Sequence, residues 1–90
     1  MKHYTRFRAY QLGEKGASFS ISVDQYFILI EARYNSVSKP HVIYEMGLSG
    51  VAHIDVLHIT SWDEDHCKPT ELEDIIRELG PSVIECPGYA

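Results

Sequence analysis

Ninety residues make one domain, 1–90, or part of a larger one, and 44% hydrophobic with 23% charged residues marks an ordinary globular chain rather than a disordered tail. A net charge of −5 disfavours broad binding to a phosphate backbone, so nucleic acid is expected only as a substrate. No apolar run reaches the roughly 18 residues of a membrane span, no secretory leader is expected, and the two cysteines, Cys67 and Cys86, make no disulfide framework, so a cytoplasmic location is expected.

The first half reads as strands. Thr5 to Leu12 is rich in aromatic and β-branched residues. Arg6 and Arg8 share one face of it, with Lys2 and His3 nearby, and a solvated strand face is the expected role of this basic cluster. Gly13 to Gly16 is a turn. Ser18 to Val23 alternates strictly, which sets Phe19, Ile21 and Val23 on one face and three serines on the other. Asp24-Gln25 predicts a two-residue hairpin turn. Tyr26 to Ile30 is an unbroken apolar run, the pattern of a central strand covered on both faces.

Asn35 to Pro40 predicts a loop, His41 to Glu45 a short strand, and Gly47 to Gly50 another turn. Ile54 to Ile59 predicts a second buried strand, interrupted by Asp55 and His58. A helix follows. Thr70 and Glu73 have capping-box spacing, Glu71, Glu73 and Asp74 suit the positive end of a helix dipole, and Leu72, Ile75, Ile76 and Leu79 form one stripe before Gly80-Pro81. Ser82 to Glu85 then predicts a short strand. The fold class expected is α+β, a mixed sheet whose last unit is strand–loop–helix–strand with a right-handed parallel crossover.

In such units ligands gather at the carboxyl ends of the strands, where Ser61-Trp62-Asp63-Glu64-Asp65-His66 lies. Carboxylate oxygens with an imidazole suit zinc, manganese or iron(II). Asp63 and Asp65 can point the same way in an extended segment, whereas Asp65 and His66 diverge, so two neighbours could serve two metals. A calcium loop is disfavoured, because Lys68 stands where its glycine belongs. The plain alternative is a solvated acidic loop at a helix start. His58 reads as a structural histidine, His3 and His41 as surface residues, Cys67 as a space-filling residue, Trp62 as a packing anchor, and the tyrosines as sheet packing.

Leu57 to His66 resembles the strand and metal loop of the metallo-β-lactamase superfamily, whose signature is H-x-H-x-D-H, and is most similar to the soluble hydrolase domain of bacterial DNA-uptake channel proteins. Gln11 to Ala17 also resembles that branch's early glycine turn, and Glu71 to Leu79 the helix after its metal loop. The sequence departs from the family in two places. Ser61 stands in the position of the first signature histidine, and Glu31 is the nearest carboxylate where members carry Asp after the strand like Tyr26–Ile30.

The resemblance implies the N-terminal half of an αββα sandwich and a metal-dependent hydrolase acting on phosphodiester-like substrates. It implies a divalent metal, zinc first, with manganese or iron as alternatives. Asp63, Asp65 and His66 would be metal ligands, Asp65 with a catalytic part, and the ninety residues alone are expected to be inactive. The other expectation is a degenerate, non-catalytic module that assembles through its sheet with itself or a second subunit. A domain this small buries only roughly 60–65% of its unfolded surface, which favours such a partner.

Overall fold

Alternating sequence and tight turns bring the first strands together, and two helical crossovers add the rest. The computed structural model describes residues 4–88. Its elements are β1 (Thr5–Ala9), β2 (Phe19–Val23), β3 (Tyr26–Ile30), α1 (Lys39–Ser49), β4 (Val56–His58), α2 (Pro69–Leu79) and β5 (Val83–Glu85). The five strands form one mixed sheet in chain order, β1-β2-β3 antiparallel and β3-β4-β5 parallel. This is an α+β fold. Both crossovers step the same way across the sheet, so a common hand leaves both helices on one face. Val42 and Met46 of α1 and Ile75 and Leu79 of α2 accordingly share a core with Phe27, Leu29 and Leu57. No helix among the described residues is long and apolar enough to cross a membrane.

The hairpin between β2 and β3 forms as expected. Val23 pairs with Tyr26, and Asp24 takes φ 56°, a conformation that Asp tolerates better than most residues. Its carboxylate accepts the Tyr4 amide at 2.9 Å, tying the turn to the start of β1.

Several expectations are corrected. His41–Glu45 is not a strand but the middle of α1, and Gly47 lies inside that helix rather than in a turn. Pro40 sits in the first helical turn, and Asn35 Oδ1 accepts the Val37 and Ser38 amides just before it. The buried stripe of α1 is Val42, Glu45, Met46 and Ser49. Two of its four positions are polar, so helical periodicity of hydrophobicity is masked while β-branched residues stand out. In α2, Lys68 is the N-cap and Pro69 the first helical residue, with no side-chain capping bond, so Thr70 and Glu73 do not form a capping box.

The faces of the sheet also differ from expectation. Ser20 and Ser22 point into the helix layer, where Ser20 Oγ meets Tyr10 Oη at 2.7 Å and Ser22 Oγ accepts from Ser49 Oγ at 3.1 Å. The apolar residues of β2 lie on the other face, which no helix covers. β3 is therefore buried on one side only: Phe27 and Leu29 are fully buried, while Tyr26 is exposed and Ile28 and Ile30 are half-buried. Arg6 and Arg8 are not a solvated basic face. Both reach Glu45, itself buried on α1, and Arg6 binds it with two nitrogens. Those bonds, Arg6 first, hold the Glu45 carboxyl below the usual range against the opposing effect of burial. Lys2 and His3 lie outside the described residues. Tyr10 and Tyr34 pack in the core, but Tyr4, Tyr26 and Tyr44 are exposed.

Candidate functional site: the loop at the end of β4

The loop after β4 is fixed from three sides by backbone and side chain. Asp63 carbonyl accepts the amides of His66 and Cys67, both at 2.9 Å, closing a tight turn. Asp65 carbonyl accepts the Ala17 amide at 3.0 Å, joining the loop to the glycine turn. His66 carbonyl accepts the Ala32 amide at 2.7 Å, and the Lys68 amide returns to Ala32 carbonyl at 3.3 Å. The loop thus continues the parallel pairing of β3 and β4 past the ends of the strands.

Arg33 holds this junction together. Its side chain is fully buried, and all three guanidinium nitrogens donate hydrogen bonds. Nε donates to Glu71 Oε1 at 2.9 Å, Nη1 to the carbonyls of Lys15 and Asp65 at 3.0 and 3.3 Å, and Nη2 to Glu14 Oε2 at 2.5 Å. Glu14 also accepts from Lys68 Nζ at 2.7 Å, and these cations hold its carboxyl below the usual range. A planar, always-charged fork with five donors suits this role in a way that lysine cannot. Gly16 (φ 150°) lies against the guanidinium, and a Cβ there would collide with Arg33 Nη1.

The second fixed group is Glu31, buried and at φ 77°, a strained conformation for a residue with a side chain. The turn of the chain at this position directs its carboxylate along the end of the sheet. Oε1 accepts the Thr60 amide at 2.9 Å, and Oε2 accepts Thr60 Oγ1 at 2.5 Å and faces His66 Nδ1 at 2.6 Å. With a carboxylate on Nδ1, the favoured tautomer carries its proton there and leaves Nε2 as the lone-pair donor. The His66 side chain is one-third exposed.

The three residues singled out from the sequence are close in the chain but are used differently. His66 is oriented by Glu31. The Asp65 carboxylate is about half exposed and stands 3.6 Å from Lys15 Nζ. Asp63 is exposed, and its amide donates to Ser61 Oγ at 3.1 Å. Among the described residues, no three His, Cys, Asp or Glu side chains gather as a metal-binding group. The donor types of the loop suit a divalent metal, and the carboxylate-backed imidazole suits one too, but they amount to part of a donor set.

Beside the loop, Trp62, Glu64, Cys67, Lys68, Pro69, Thr70 and Leu72 line an open cleft of about 500 Å³. Cys67 is buried at its floor, and burial, then the nearby Glu31 charge, push its thiol up. It is therefore no activated nucleophile, and the space-filling role fits. His58 is on the uncovered face of the sheet, its Nδ1 2.8 Å from Glu85 Oε1. Asp55 lies just before β4 rather than within it. Its carboxylate accepts the Phe27 amide at 2.7 Å and its carbonyl the amides of Ser82 and Val83.

Sequence reasoning noticed Glu31 only as a nearby carboxylate and missed Thr60 and Arg33. A charged pair directly after an apolar strand, Glu31 and Arg33, was the one available signal. Comparison with protein-family models, curated proteins and solved structures finds no match for this chain.

Proposed function

We propose that this chain is the αβ layer of a metal-dependent hydrolase of the metallo-β-lactamase type, acting in the cytoplasm on phosphodiester-like substrates. The observation that carries the reading is His66: an imidazole braced on Nδ1 by the buried Glu31, at the carboxyl end of a parallel strand and beside two loop carboxylates. Brackets of this kind fix ring orientation and raise ligand basicity. The layering is also what half of an αββα sandwich requires, one sheet with helices on a single face. Two free cysteines, one buried and one exposed, suit a reducing compartment.

In this reading His66 and Asp65 are ligands, with Asp63 as a second carboxylate, and further donors come from outside the described residues. A divalent ion held there would supply a water of lowered pKa. This chain's own residues hold the imidazole, through Glu31 and Thr60, and hold the loop, through Arg33. Ser61 cannot replace an imidazole donor, so turnover by the layer alone is expected to be negligible.

The test is a zinc titration of the whole chain by competition with a chromophoric chelator, beside a His66→Ala, Asp65→Ala variant. Measurable affinity that the double substitution abolishes, and that Glu31→Ala weakens roughly 10–100-fold, supports the reading. Equal zinc binding by parent and double variant sinks it.

One observation favours a second reading, a non-catalytic module. The carbonyls of Asp63, Asp65 and His66 all serve internal bonds, so the loop has a complete structural use as a clasp. In that case the double variant keeps those backbone bonds and its fold, and zinc changes the melting of neither protein.

A further inference from the structure

The register of the sheet arranges the uncovered face in three rows. Thr5, Val23 and Tyr26 form one. Phe7, Ile21, Ile28, Val56 and Val83 form the middle one, which crosses all five strands without a polar residue. Ala9, Phe19, Ile30, His58 and Glu85 form the third, and its two ionisable groups face each other at one corner. Large apolar side chains stand out from this surface: Phe7 is 65% exposed, Val83 51%, Tyr26 47% and Val23 40%. Phe7 rests on Phe19 with ring centroids 5.9 Å apart, so the rim at β1 is a raised aromatic ridge.

We infer that a second copy of this chain covers this face, forming a symmetric sheet-on-sheet dimer. Strands about 4.8 Å apart, the longer ones about 17 Å long, give a footprint of roughly 350 Å² before side-chain relief. With relief the accessible area is roughly 600 Å², the upper limit of what ordinary monomers leave bare. Two such faces together reach the low end of the roughly 1,200–2,000 Å² that specific interfaces bury. The middle row offers no charge by which a differently charged partner would be selected. A surface apolar but for Thr5 at one edge and the His58–Glu85 pair at one corner matches its own copy.

Size complementarity selects the symmetry axis. A two-fold axis running along β3 sets β1 of one copy over β5 of the other, so Phe7 lies above the smaller side chain of Val83. An axis across the strands at the middle row would stack Phe7 on Phe7 and prop the sheets apart. The strands of the two copies stay aligned within the roughly 30° usual for packed sheets. This inference concerns the sheet face alone and is independent of metal at the loop.

The experiment is light scattering and sedimentation of the whole chain over about 1–200 µM, with and without chelator. Twice the 10.3 kDa chain mass is expected in both conditions. Phe7→Glu and Val83→Lys each should shift the equilibrium to monomer by at least tenfold in dissociation constant, and an equimolar mixture of the two should recover dimer. Both sites are exposed, and an unchanged circular dichroism melt of the monomer verifies folding. A monomer at 200 µM overturns the inference, as does a dimer indifferent to Phe7→Glu. Loss of the dimer in chelator would instead mark a metal-bridged contact and overturn it equally. Monomer from each variant with no recovery on mixing overturns the axis along β3.

Discussion

In β1 and β2 the two faces of this sheet invert the usual distribution of polarity, whereas β3 and β4 put Phe27, Leu29 and Leu57 under the helices. The face under the helices contains serines, a buried glutamate and the guanidinium groups that reach it. The bare face carries phenylalanine, isoleucine, valine and tyrosine. Polar groups are tolerated under the helices where they have a partner, as Ser20 has Tyr10, Ser22 has Ser49, and Glu45 has Arg6 and Arg8. Burial costs a polar group little once it is hydrogen-bonded, and much when it is not. Burial of apolar residues, by contrast, depends only on whether another layer arrives. Apolar character alone therefore does not tell which face is the inside.

The sharpest way to break this comparison is to cut adjacent residues on β3. Phe27→Ala, on the covered face, should cost about 3–5 kcal/mol in urea unfolding. Its neighbour Tyr26, on the bare face, should tolerate alanine within about 0.5 kcal/mol for the monomer. Similar losses from both would mean that the two faces are equally packed. Arg33→Ala should be nearly as damaging as the core cut, about 3–5 kcal/mol, because Glu14, Glu71 and two carbonyls are left facing a void. Arg33→Lys should recover only part of that, since one ammonium cannot serve four acceptors.

Glu45 tests the polar part of the covered face. Its folded pKa is lowered, so the stability it adds is complete above its ordinary value of 4.5 and disappears as pH falls through the folded value. Glu45→Gln should cost roughly 1–3 kcal/mol at pH 7. It should also flatten the fall in stability below pH 4.5, as read from urea midpoints between pH 7 and pH 3. An unchanged acid slope in the variant would remove Glu45 from the account. The smallest effect has the opposite sign. Ser18 Oγ is buried without a hydrogen-bond partner among the described residues, so Ser18→Ala should raise stability by up to about 1 kcal/mol.

Legibility followed how local each signal was. The second helix was readable because Ile75 and Leu79 lie on one stripe and Gly80, at φ 52°, ends it. Its start was misread by two residues, because Thr70 and Glu73 have box spacing by coincidence while Pro69 fixes the first turn. The first helix was missed because Glu45 and Ser49 occupy half its buried stripe, and only the residues on β1 and β2 explain them. The loop at 61–66 was legible as a place, since strand, loop and capped helix follow in order. The directions of its side chains were not, because Glu31 comes from another strand and Lys15 from another turn.

Local pattern located the five strands, along with a false one at His41–Glu45, the hairpin at Asp24-Gln25, the parallel unit at the end and the two residue sets of β2. Periodicities of two and 3.6 residues are properties of a single segment and need no partner to be read. Only the tertiary structure decided which set of β2 faces inward, that residues 39–49 coil, and that His66 meets Glu31. Each of those outcomes is set by a contact more than twenty residues away along the chain, between Ser22 and Ser49, Arg6 and Glu45, Glu31 and His66. Such contacts depend on how the layers stack, and no single segment records that.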